Sequence, residues 1–203
     1  MKKRMKNNAL IVFLKNGDHG KVKTRIAQTM GHHLAYEIYE RLQRILQKML
    51  SAWSGDIYLY FSDRIPNGDL WAETTYQKCV QMKGHLGVRM YNALEEVLTS
   101  HSEVVLIGSD CPYLKADIIV SAFDVLTHKD VVLGPAIDGG YYLIGMKKNH
   151  RFLFDNITWS TSSVLDQTIN ILHQHNVTYG LLEPLSDIDT QKDWEKYLRS
   201  TIK

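Results

Sequence analysis

The chain has 203 residues, with 24 Lys and Arg against 22 Asp and Glu and a formal net charge of +2. This length favours one domain with a substantial core, and the near balance of charge gives no reason to expect nucleic acid or a membrane as a partner. We expect a single domain over 1–203 in which residues 1–8, MKKRMKNN, form a flexible N-terminus. The first apolar run, at 9–14, is too short to span a bilayer and lacks a signal-peptide cleavage site, so a cytoplasmic protein without membrane insertion is expected.

The first half of the chain alternates apolar strands with amphipathic helices. The run ALIVFL over 9–14 is continuously apolar, as expected for a strand that is covered on both faces. Apolar side chains then recur every three or four residues between 31 and 53, which predicts one long helix. DIYLYFS at 56–62 predicts a second strand, and a polar loop leads from it to a helix marked by the apolar positions of 90–98.

The second half continues this alternation. GYYLIGM at 140–146 follows the preceding strand after too few residues for a helical crossover, so we expect it to turn back or to lie elsewhere in the sheet. A capping box formed by Thr190 and Asp193 predicts the start of the last helix. The remaining elements are predicted as strands at 103–108, 130–134 and 177–182 and helices at 114–126 and 164–172.

Alternating strands and helices predict an α/β fold around a mostly parallel central sheet. Ligands of such sheets bind beyond the carboxyl ends of the strands, so functional residues are expected in the loops that leave those ends. Four polar motifs fall at such positions.

The first motif is GDHGKVKTR, directly after the first strand. An ATP-binding P-loop has four residues between its glycines and a Ser or Thr directly after its lysine. Only two residues separate Gly17 from Gly20, and Val22 follows Lys21, so the spacing excludes a P-loop. The backbone N–H groups of the turn, together with Lys21, Lys23 and Arg25, suit a phosphate group. A solvated basic turn is the alternative interpretation.

The second motif, IGSDCPYL, places Asp110 at the tip of an apolar strand. A carboxylate there suits a hard cation that takes its other ligands from phosphate oxygens. Alternatively, Asp110 is the N-cap of the next helix, with Pro112 in its first turn. Cys111 is expected to be a packing residue rather than a nucleophile.

The third and fourth motifs are GPAIDGGYYLIG and LSDIDT. In the third, Gly139 and Gly140 follow Asp138 and would allow a ligand to approach the backbone, or would simply form a tight turn between two strands. In the fourth, Asp187 and Asp189 project to the same side of an extended segment. They would supply further metal carboxylates or cap the last helix.

Two further segments carry candidate binding residues. Gly84 and Gly87 bracket a loop that ends at Arg89, where a helix N-terminus and a cation suit phosphate or a sugar acid. Alternatively, these glycines only form the turn that precedes a helix. In WSTSS, Trp159 would stack on a sugar or base, or would lie in the core beside an N-cap.

As an ordered set, these motifs resemble a known family. From about Leu10 to Trp194 the chain is similar to a bacterial transferase-like family of GT-A fold, formerly classed as a domain of unknown function, within the nucleotide-diphospho-sugar transferase superfamily. The first motif also resembles the phosphate loop of 2-phospholactate guanylyltransferase-like and molybdenum-cofactor nucleotidyltransferases. The motifs that carry the resemblance are GKVKTRIA, GHLGVRM, LIGSDCPYL, GPAIDGGYYLIGM, ITWSTSSVLDQT and DIDTQKDW.

The resemblance implies a single-domain GT-A three-layer sandwich with a mostly parallel central sheet. The family usually has K-A-P-x-P-G where this chain has KNGDHG, so a more flexible first loop is expected, with Asp18 beside the phosphate. Together with the motifs, the resemblance assigns catalytic roles to Asp138 and Asp110 and a divalent cation, Mg²⁺ or Mn²⁺, to Asp110 with Asp187 or Asp189. The nucleotide-binding residues are then Gly20, Lys21, Lys23, Thr24, Arg25, Gly87 and Arg89, and the substrate-binding residues are Gly139, Gly140, Trp159 and Ser160.

The function implied first is a metal-dependent glycosyltransferase that uses a nucleoside diphosphate sugar and a small-molecule acceptor. Lys23 and Arg25 would share the charge of the leaving diphosphate, and Asp138 would position or deprotonate the acceptor hydroxyl. The alternative is a nucleotidyltransferase that joins an NTP to a phosphorylated small molecule and releases pyrophosphate, which the dense cations of the first loop favour. A third, less favoured, possibility is a non-catalytic nucleotide-sugar-binding protein.

Overall fold

A computed structural model describes residues 7–68, 70–71 and 75–201. In these residues the chain forms seven strands and six α-helices, with a single 3-10 turn at Arg151–Leu153. The strands are β1 (Asn8–Leu14), β2 (Asp56–Phe61), β3 (Tyr76–Val80), β4 (Glu103–Ile107), β5 (Val131–Pro135), β6 (Tyr141–Met146) and β7 (Tyr179–Leu181). The helices are α1 (Thr24–Met30), α2 (His32–Leu50), α3 (Leu86–Leu98), α4 (Ala116–His128), α5 (Val164–Gln174) and α6 (Gln191–Thr201).

The described strands form one sheet in the order β3-β2-β1-β4-β6-β5-β7. All neighbouring pairs are parallel except those of β6, which runs antiparallel between β4 and β5. The strand predicted to turn back or to lie elsewhere in the sheet turns back, because the chain reverses in the short turn after β5. The prediction of a mostly parallel sheet is therefore confirmed.

Helices cover both faces of the sheet, as the side chains of β1 show by pointing alternately into two different apolar clusters. Leu10, Val12 and Leu14 pack in the cluster that contains the apolar faces of α2 and α4. Ala9 and Ile11 pack on the opposite side, in the cluster that contains α3 and α5. Burial of successive side chains in two different cores explains why the strand is apolar without alternation. The result is a three-layer α/β/α arrangement.

A third apolar cluster joins α1, α2 and α6 beside the sheet. Ile26 of α1 and Ile38 of α2 are almost completely buried there, with Trp194 of α6. Ile188, from the segment before α6, is fully buried in the same cluster. This packing holds the loop after β1 and the segment before α6 against each other.

Several predicted boundaries change. The helix expected at 31–53 ends at Leu50, and it is preceded by the separate short helix α1, which was not predicted. Part of the expected polar loop forms the edge strand β3. At the N-terminus, residues 1–6 lie outside the described residues, whereas Asn8 already belongs to β1.

Two predicted caps have different outcomes. The capping box is confirmed, since Asp193 Oδ2 accepts hydrogen bonds from the Thr190 hydroxyl at 2.7 Å and the Thr190 amide at 2.8 Å. The N-cap alternative for Asp110 is wrong, because the next helix begins only after Lys115. Pro112 therefore lies in the turn before that helix rather than in its first turn. Among the described residues, no helix has both the length and the apolar character needed to cross a membrane.

Candidate functional site

The loops that leave β1, β4 and β5 meet at one end of the sheet. These strands share one direction, so their carboxyl ends lie at the same edge. Two ion pairs join the first loop to predicted carboxylates at this edge. Lys23 Nζ lies 2.8 Å from Asp110 Oδ1, and an Arg25 guanidinium nitrogen lies 3.5 Å from Asp189 Oδ2. The structure thus brings the first, second and fourth motifs into direct contact.

Lys23 lies inside this site. Only 5% of its side chain is exposed, and its backbone is left-handed (φ 48°) just before α1. Besides pairing with Asp110, its ammonium group donates to the Ile188 carbonyl at 2.7 Å, while the Ile188 amide donates to the Asp110 carbonyl at 2.9 Å. Of the three ammonium donors, two are used within the protein, which leaves one for the predicted phosphate contact.

The carboxylates of the site repel one another. Burial raises the pKa of Asp187 to about 7, and the negative charges of Asp110, Asp138 and Asp189 add to the rise, against the opposing effect of Lys23. A like charge nearby and loss of water both disfavour an ionised carboxylate. The site therefore holds more negative charge than Lys23 offsets, and a further cation would be bound favourably there.

The donor chemistry of the site fits a hard divalent cation, because carboxylate oxygens are the ligands that Mg²⁺ and Mn²⁺ prefer. Within the described parts of the chain, no three His, Cys, Asp or Glu side chains are grouped closely enough to hold a metal ion by themselves. Mg²⁺ commonly uses one or two carboxylates and completes its shell with substrate phosphates and water. These residues therefore fit a cation that binds together with a phosphate-bearing substrate.

Cys111 lies beside the carboxylates without the properties of a nucleophile. Burial, with the nearby charge of Asp187, raises the pKa of its thiol to about 12. The reactive form of cysteine is the thiolate, so the thiol is inert at neutral pH. Cys111 packs against the first core cluster, as predicted.

The rest of the first loop is more exposed. Lys21, whose side chain is 78% exposed, pairs with Asp18 at 3.5 Å, and Gly20 has a positive φ of 78°. The Arg64 guanidinium bonds both carboxylate oxygens of Asp18 and, with Lys21, holds the pKa of that carboxyl below its usual range. Arg64 and Lys21 thus balance the charge of Asp18. This carboxylate therefore does not lie unpaired beside the phosphate predicted for the loop.

Asn16 is a structural residue of the site that the motif analysis missed. It is 5% exposed, its Nδ2 donates to the Arg64 carbonyl at 2.8 Å, and its Oδ1 accepts from the Asp63 amide at 2.9 Å and the Ser62 hydroxyl at 3.1 Å. These bonds tie the loop after β1 to the loop after β2. The available signal was an asparagine two residues after a buried strand.

Two neighbouring spaces lie over the sheet edge. The charged pocket has a volume of about 230 Å³, and the larger Trp159 cavity has about 410 Å³. Arg25 and Asp189 line both spaces. The charged pocket is also lined by Lys15, Val22, Lys23, Thr24, Tyr39 and Asp110, and the Trp159 cavity by residues that include Asp138, Gly140, Ser160 and Asp187.

At the start of α3, Gly87 has a packing role. A Cβ on Gly87 would lie 2.6 Å from the Trp159 indole nitrogen, so this glycine makes room for the indole. The Arg89 guanidinium donates to Gln81 Oε1 at 3.0 Å, and the Gln81 amide nitrogen donates to the carbonyls at the ends of β1 and β2. The phosphate contacts of Gly87 and Arg89 both stay predictions.

In the third motif, Gly139 serves packing within the chain, whereas Asp138 and Gly140 line the candidate site. Gly139 has φ 92°, and a Cβ there would collide with the Ser162 carbonyl oxygen, so its lack of a side chain serves close packing within the chain. Asp138 and Gly140 face the Trp159 cavity, where Asp138 Oδ1 accepts a hydrogen bond from the Gly140 amide at 3.0 Å. Of the two glycines, Gly140 lines this cavity, and the substrate contacts of both stay predictions.

Trp159 packs against the core and also lines the cavity, and its stacking on a sugar or base stays a prediction. It is half-buried, contacts the Tyr141 ring edge-on at 6.4 Å between centroids, and lines the Trp159 cavity. Its indole nitrogen has no hydrogen-bond partner among the described residues. Ser160, exposed and with φ 65°, lines the same cavity. The predicted substrate residues therefore share one wall with Asp138.

Comparison with known proteins agrees with the resemblance. A family model described as "Uncharacterized protein conserved in bacteria (DUF2064)" matches residues 45–161. A search of curated proteins finds no significant match.

Solved structures match over most of the chain. A protein from Desulfovibrio desulfuricans, described as a "putative nucleotide-diphospho-sugar transferase", is 29% identical, with coverage of 92% of this chain and 84% of that one and a TM-score of 0.83. A 4-diphosphocytidyl-2C-methyl-D-erythritol synthase from Anaerococcus prevotii is 8% identical (95% and 96% coverage, TM-score 0.59). Rv0371c from Mycobacterium tuberculosis, solved with manganese, is 13% identical (96% and 100% coverage, TM-score 0.58). The predicted nucleotide-diphospho-sugar transferase fold is confirmed.

Proposed function

We propose that the chain, which belongs to the bacterial family DUF2064, is a transferase that moves a sugar from a nucleoside diphosphate sugar to a hydroxyl group of a small acceptor. The observation that carries the proposal is the contact between the cationic first loop and the carboxylates, made by the Lys23–Asp110 and Arg25–Asp189 pairs. The Trp159 cavity adjoins these pairs and offers space for the sugar and the acceptor. The likeness to the Desulfovibrio protein supports the same class of reaction.

The reaction needs a leaving diphosphate and a proton acceptor. The acceptor oxygen bonds to the anomeric carbon as the bond between that carbon and the diphosphate oxygen breaks, and the nucleoside diphosphate leaves with the electron pair. Asp138, exposed at the cavity wall, takes the proton of the acceptor hydroxyl. Arg25, whose side chain is 69% exposed, donates hydrogen bonds to the phosphate oxygens. A divalent cation held by Asp110 and Asp189 would neutralise charge on the leaving diphosphate.

The charge pairing favours a diphosphate donor over a triphosphate. Lys23 and Arg25, two of the three cations that suggested a triphosphate, each pair with a carboxylate of the site, so their charge is already matched there. The third, Lys21, shares the single charge of Asp18 with Arg64. A nucleoside diphosphate sugar carries less negative charge than an NTP and needs less compensation.

The products of turnover test this proposal. The protein is incubated with UDP-, GDP- and ADP-sugars and a panel of sugar and polyol acceptors, with and without Mn²⁺, and release of nucleoside diphosphate is measured. A parallel reaction with NTPs and sugar phosphates is assayed for pyrophosphate. We expect nucleoside diphosphate release that depends on Mn²⁺. Pyrophosphate release would instead establish nucleotidyl transfer, and binding without either product would establish a non-catalytic protein.

Substitution of the proposed base adds a matched test. Asp138→Asn should lower kcat by about 10²- to 10⁴-fold, the usual contribution of a general base. Asp155→Asn is the control, because Asp155 is a similarly exposed carboxylate that pairs with Arg151 on the 3-10 turn. Equal activity of the two variants would show that Asp138 takes no part in proton transfer.

A further inference from the structure

A separate cavity of about 280 Å³ adjoins the charged pocket. It lies between α2, the loop after β1 and the segment after β2, and Lys15 and Tyr39 line both spaces. We call it the aromatic cavity and define it by Tyr36, Tyr39, Gln43, Phe61, Leu70 and Trp71. A ligand with phosphates in the charged pocket could therefore extend into it past Lys15 and Tyr39.

The walls of the aromatic cavity are suited to a flat ring. Tyr36 stacks on His19 with 3.7 Å between ring centroids, and the Tyr39 hydroxyl donates to the Lys15 carbonyl at 2.8 Å. Gly17, which also lines the cavity, has no side chain to displace Tyr39, since a Cβ there would lie 2.9 Å from its ring. Aromatic side chains that are fixed in this way offer faces on which a planar ligand stacks.

Gln43 brings a buried carboxamide without hydrogen-bond partners to this cavity. It is 4% exposed, and neither its amide nitrogen nor its amide oxygen has a hydrogen-bond partner in the described part of the chain. Buried polar side chains are almost always bonded, and an unbonded one calls for an explanation such as a missing ligand or water. A carboxamide offers a donor beside an acceptor, the pattern that matches the edge of a nucleobase.

Gln81, the other glutamine buried to this degree among the described residues, shows the contrast. It is 6% exposed, its amide nitrogen donates to the Leu14 and Tyr60 carbonyls, and its oxygen accepts from Arg89. Its bonding capacity is used in holding strand ends together. Gln43 lines a cavity instead, and no bond to another described residue accounts for its burial.

We propose that the aromatic cavity binds the base of the nucleotide whose phosphates lie in the charged pocket, with the Gln43 carboxamide bonded to the edge of the base. This inference rests on the proposed function for the presence of a nucleotide. Both carboxamide atoms lie below the surface in this structure. The side chain therefore turns toward the cavity as the base enters.

Calorimetry with two probes tests the inference. The protein and Gln43→Leu are titrated, in Mn²⁺, with nucleoside diphosphates and separately with pyrophosphate. Gln43→Leu should weaken the best nucleoside diphosphate about tenfold, as expected for loss of one or two neutral hydrogen bonds. It should leave pyrophosphate affinity unchanged, and its Tm without ligand should equal or exceed that of the parent because an unbonded polar group is removed. Gln174→Leu, a glutamine at the far end of α5, is the control.

A second variant keeps the test independent of Gln43. Tyr36→Ala, at the rim of the cavity, should likewise weaken the nucleoside diphosphate and spare pyrophosphate. If both variants bind the nucleoside diphosphate as the parent does, or lose both probes in parallel, the base does not lie in this cavity. If the parent protein binds neither probe, the proposed function itself fails.

Discussion

At the scale of single residues, Lys23 has the most specific environment in the candidate site. Its ammonium group is buried and bonded to both the Asp110 carboxylate and the Ile188 carbonyl. These two partners belong to segments that are far apart in sequence. One side chain therefore fixes where the Asp110 carboxylate lies relative to the first loop, and this makes Lys23 a positioning residue.

Lys23→Met should lower the free energy of unfolding by about 1–3 kcal/mol, because a carbonyl and a carboxylate lose a buried partner. The loss is smaller than for a fully buried pair, since the Asp110 side chain is 37% exposed and regains water. Urea unfolding measures it. Lys21→Met, at a side chain that is 78% exposed, should change stability by less than about 0.5 kcal/mol. Equal losses in the two variants would contradict the positioning role.

Gly139 and Gly140 offer a second contrast between neighbouring residues. Gly139→Ala should destabilise the protein by about 2 kcal/mol or more, since its φ of 92° is strained for alanine and its Cβ would collide with Ser162. At Gly140 the nearest atom to an added Cβ is Asp138 Oδ1 at 3.4 Å. Gly140→Ala should therefore have little effect on Tm. Thermal unfolding of both variants decides whether Gly139 serves packing.

At the scale of elements, the loops after β1 and β2 behave as one unit. Asn16 joins them through the Ser62 hydroxyl, the Asp63 amide and the Arg64 carbonyl. The Asp18–Arg64 pair is a second connection between the same loops. Asn16 lines the aromatic cavity and its neighbour Lys15 lines both spaces, so these bonds hold residues next to both.

Asn16→Ala should loosen both loops together. The backbone groups that it now bonds would be left without partners, and hydrogen exchange in 15–20 and 62–68 should speed up by about tenfold or more, as expected for loss of one or more net hydrogen bonds. Mass spectrometry of exchanged peptides measures this. Asn92→Ala is the control, because Asn92 bonds only to Val88 within its own helix among the bonds described. Faster exchange in one loop alone would show that the loops are independent.

Elements were predictable where burial imposes a strong pattern. β1, β2 and β4 were found because strands covered on both faces are continuously apolar. β3 was missed because YQKCV is an edge strand whose residues are half-buried or exposed, and α1 was missed because seven residues give too little periodicity.

The site was predictable in part for a related reason. Strand ends indicate which loops converge, so the meeting of the first loop with Asp110 and Asp189 was foreseen. The sequence does not show which charges pair. The Lys23–Asp110 and Asp18–Arg64 contacts depend on tertiary packing. The aromatic cavity depends on how the segment after β2 covers α2.

At the scale of the whole molecule, charge is balanced overall and unbalanced at the sheet edge. The formal net charge is +2, yet four carboxylates gather where the parallel strands end, and burial together with the charges of the other three raises the pKa of Asp187. The fold concentrates negative charge at the place where a substrate would bring phosphates. A cation that binds both is therefore linked to the stability of the folded protein.

Divalent cations should therefore raise Tm. A ligand that binds only the folded state at a hundredfold excess over its Kd adds about 2.7 kcal/mol, which for a chain of this size corresponds to a rise of about 5–10 °C. Differential scanning fluorimetry with Mn²⁺, Mg²⁺ and EDTA, with and without pyrophosphate, measures the shift. We expect a larger shift with pyrophosphate present, because the described carboxylates do not form a complete cation site alone.

The same measurement on variants assigns the shift to the sheet edge. Asp110→Asn should reduce the Mn²⁺-dependent rise in Tm by at least half, whereas Asp155→Asn, just after the 3-10 turn and paired with Arg151, should preserve it. Asp110→Asn also weakens the Lys23 pair and lowers Tm without metal, so the comparison is made between each variant with and without Mn²⁺. An undiminished rise in Asp110→Asn would place the cation elsewhere and remove Asp110 from the metal site. A rise that is lost in Asp189→Asn as well would identify the two carboxylates that flank the charged pocket as the ligands.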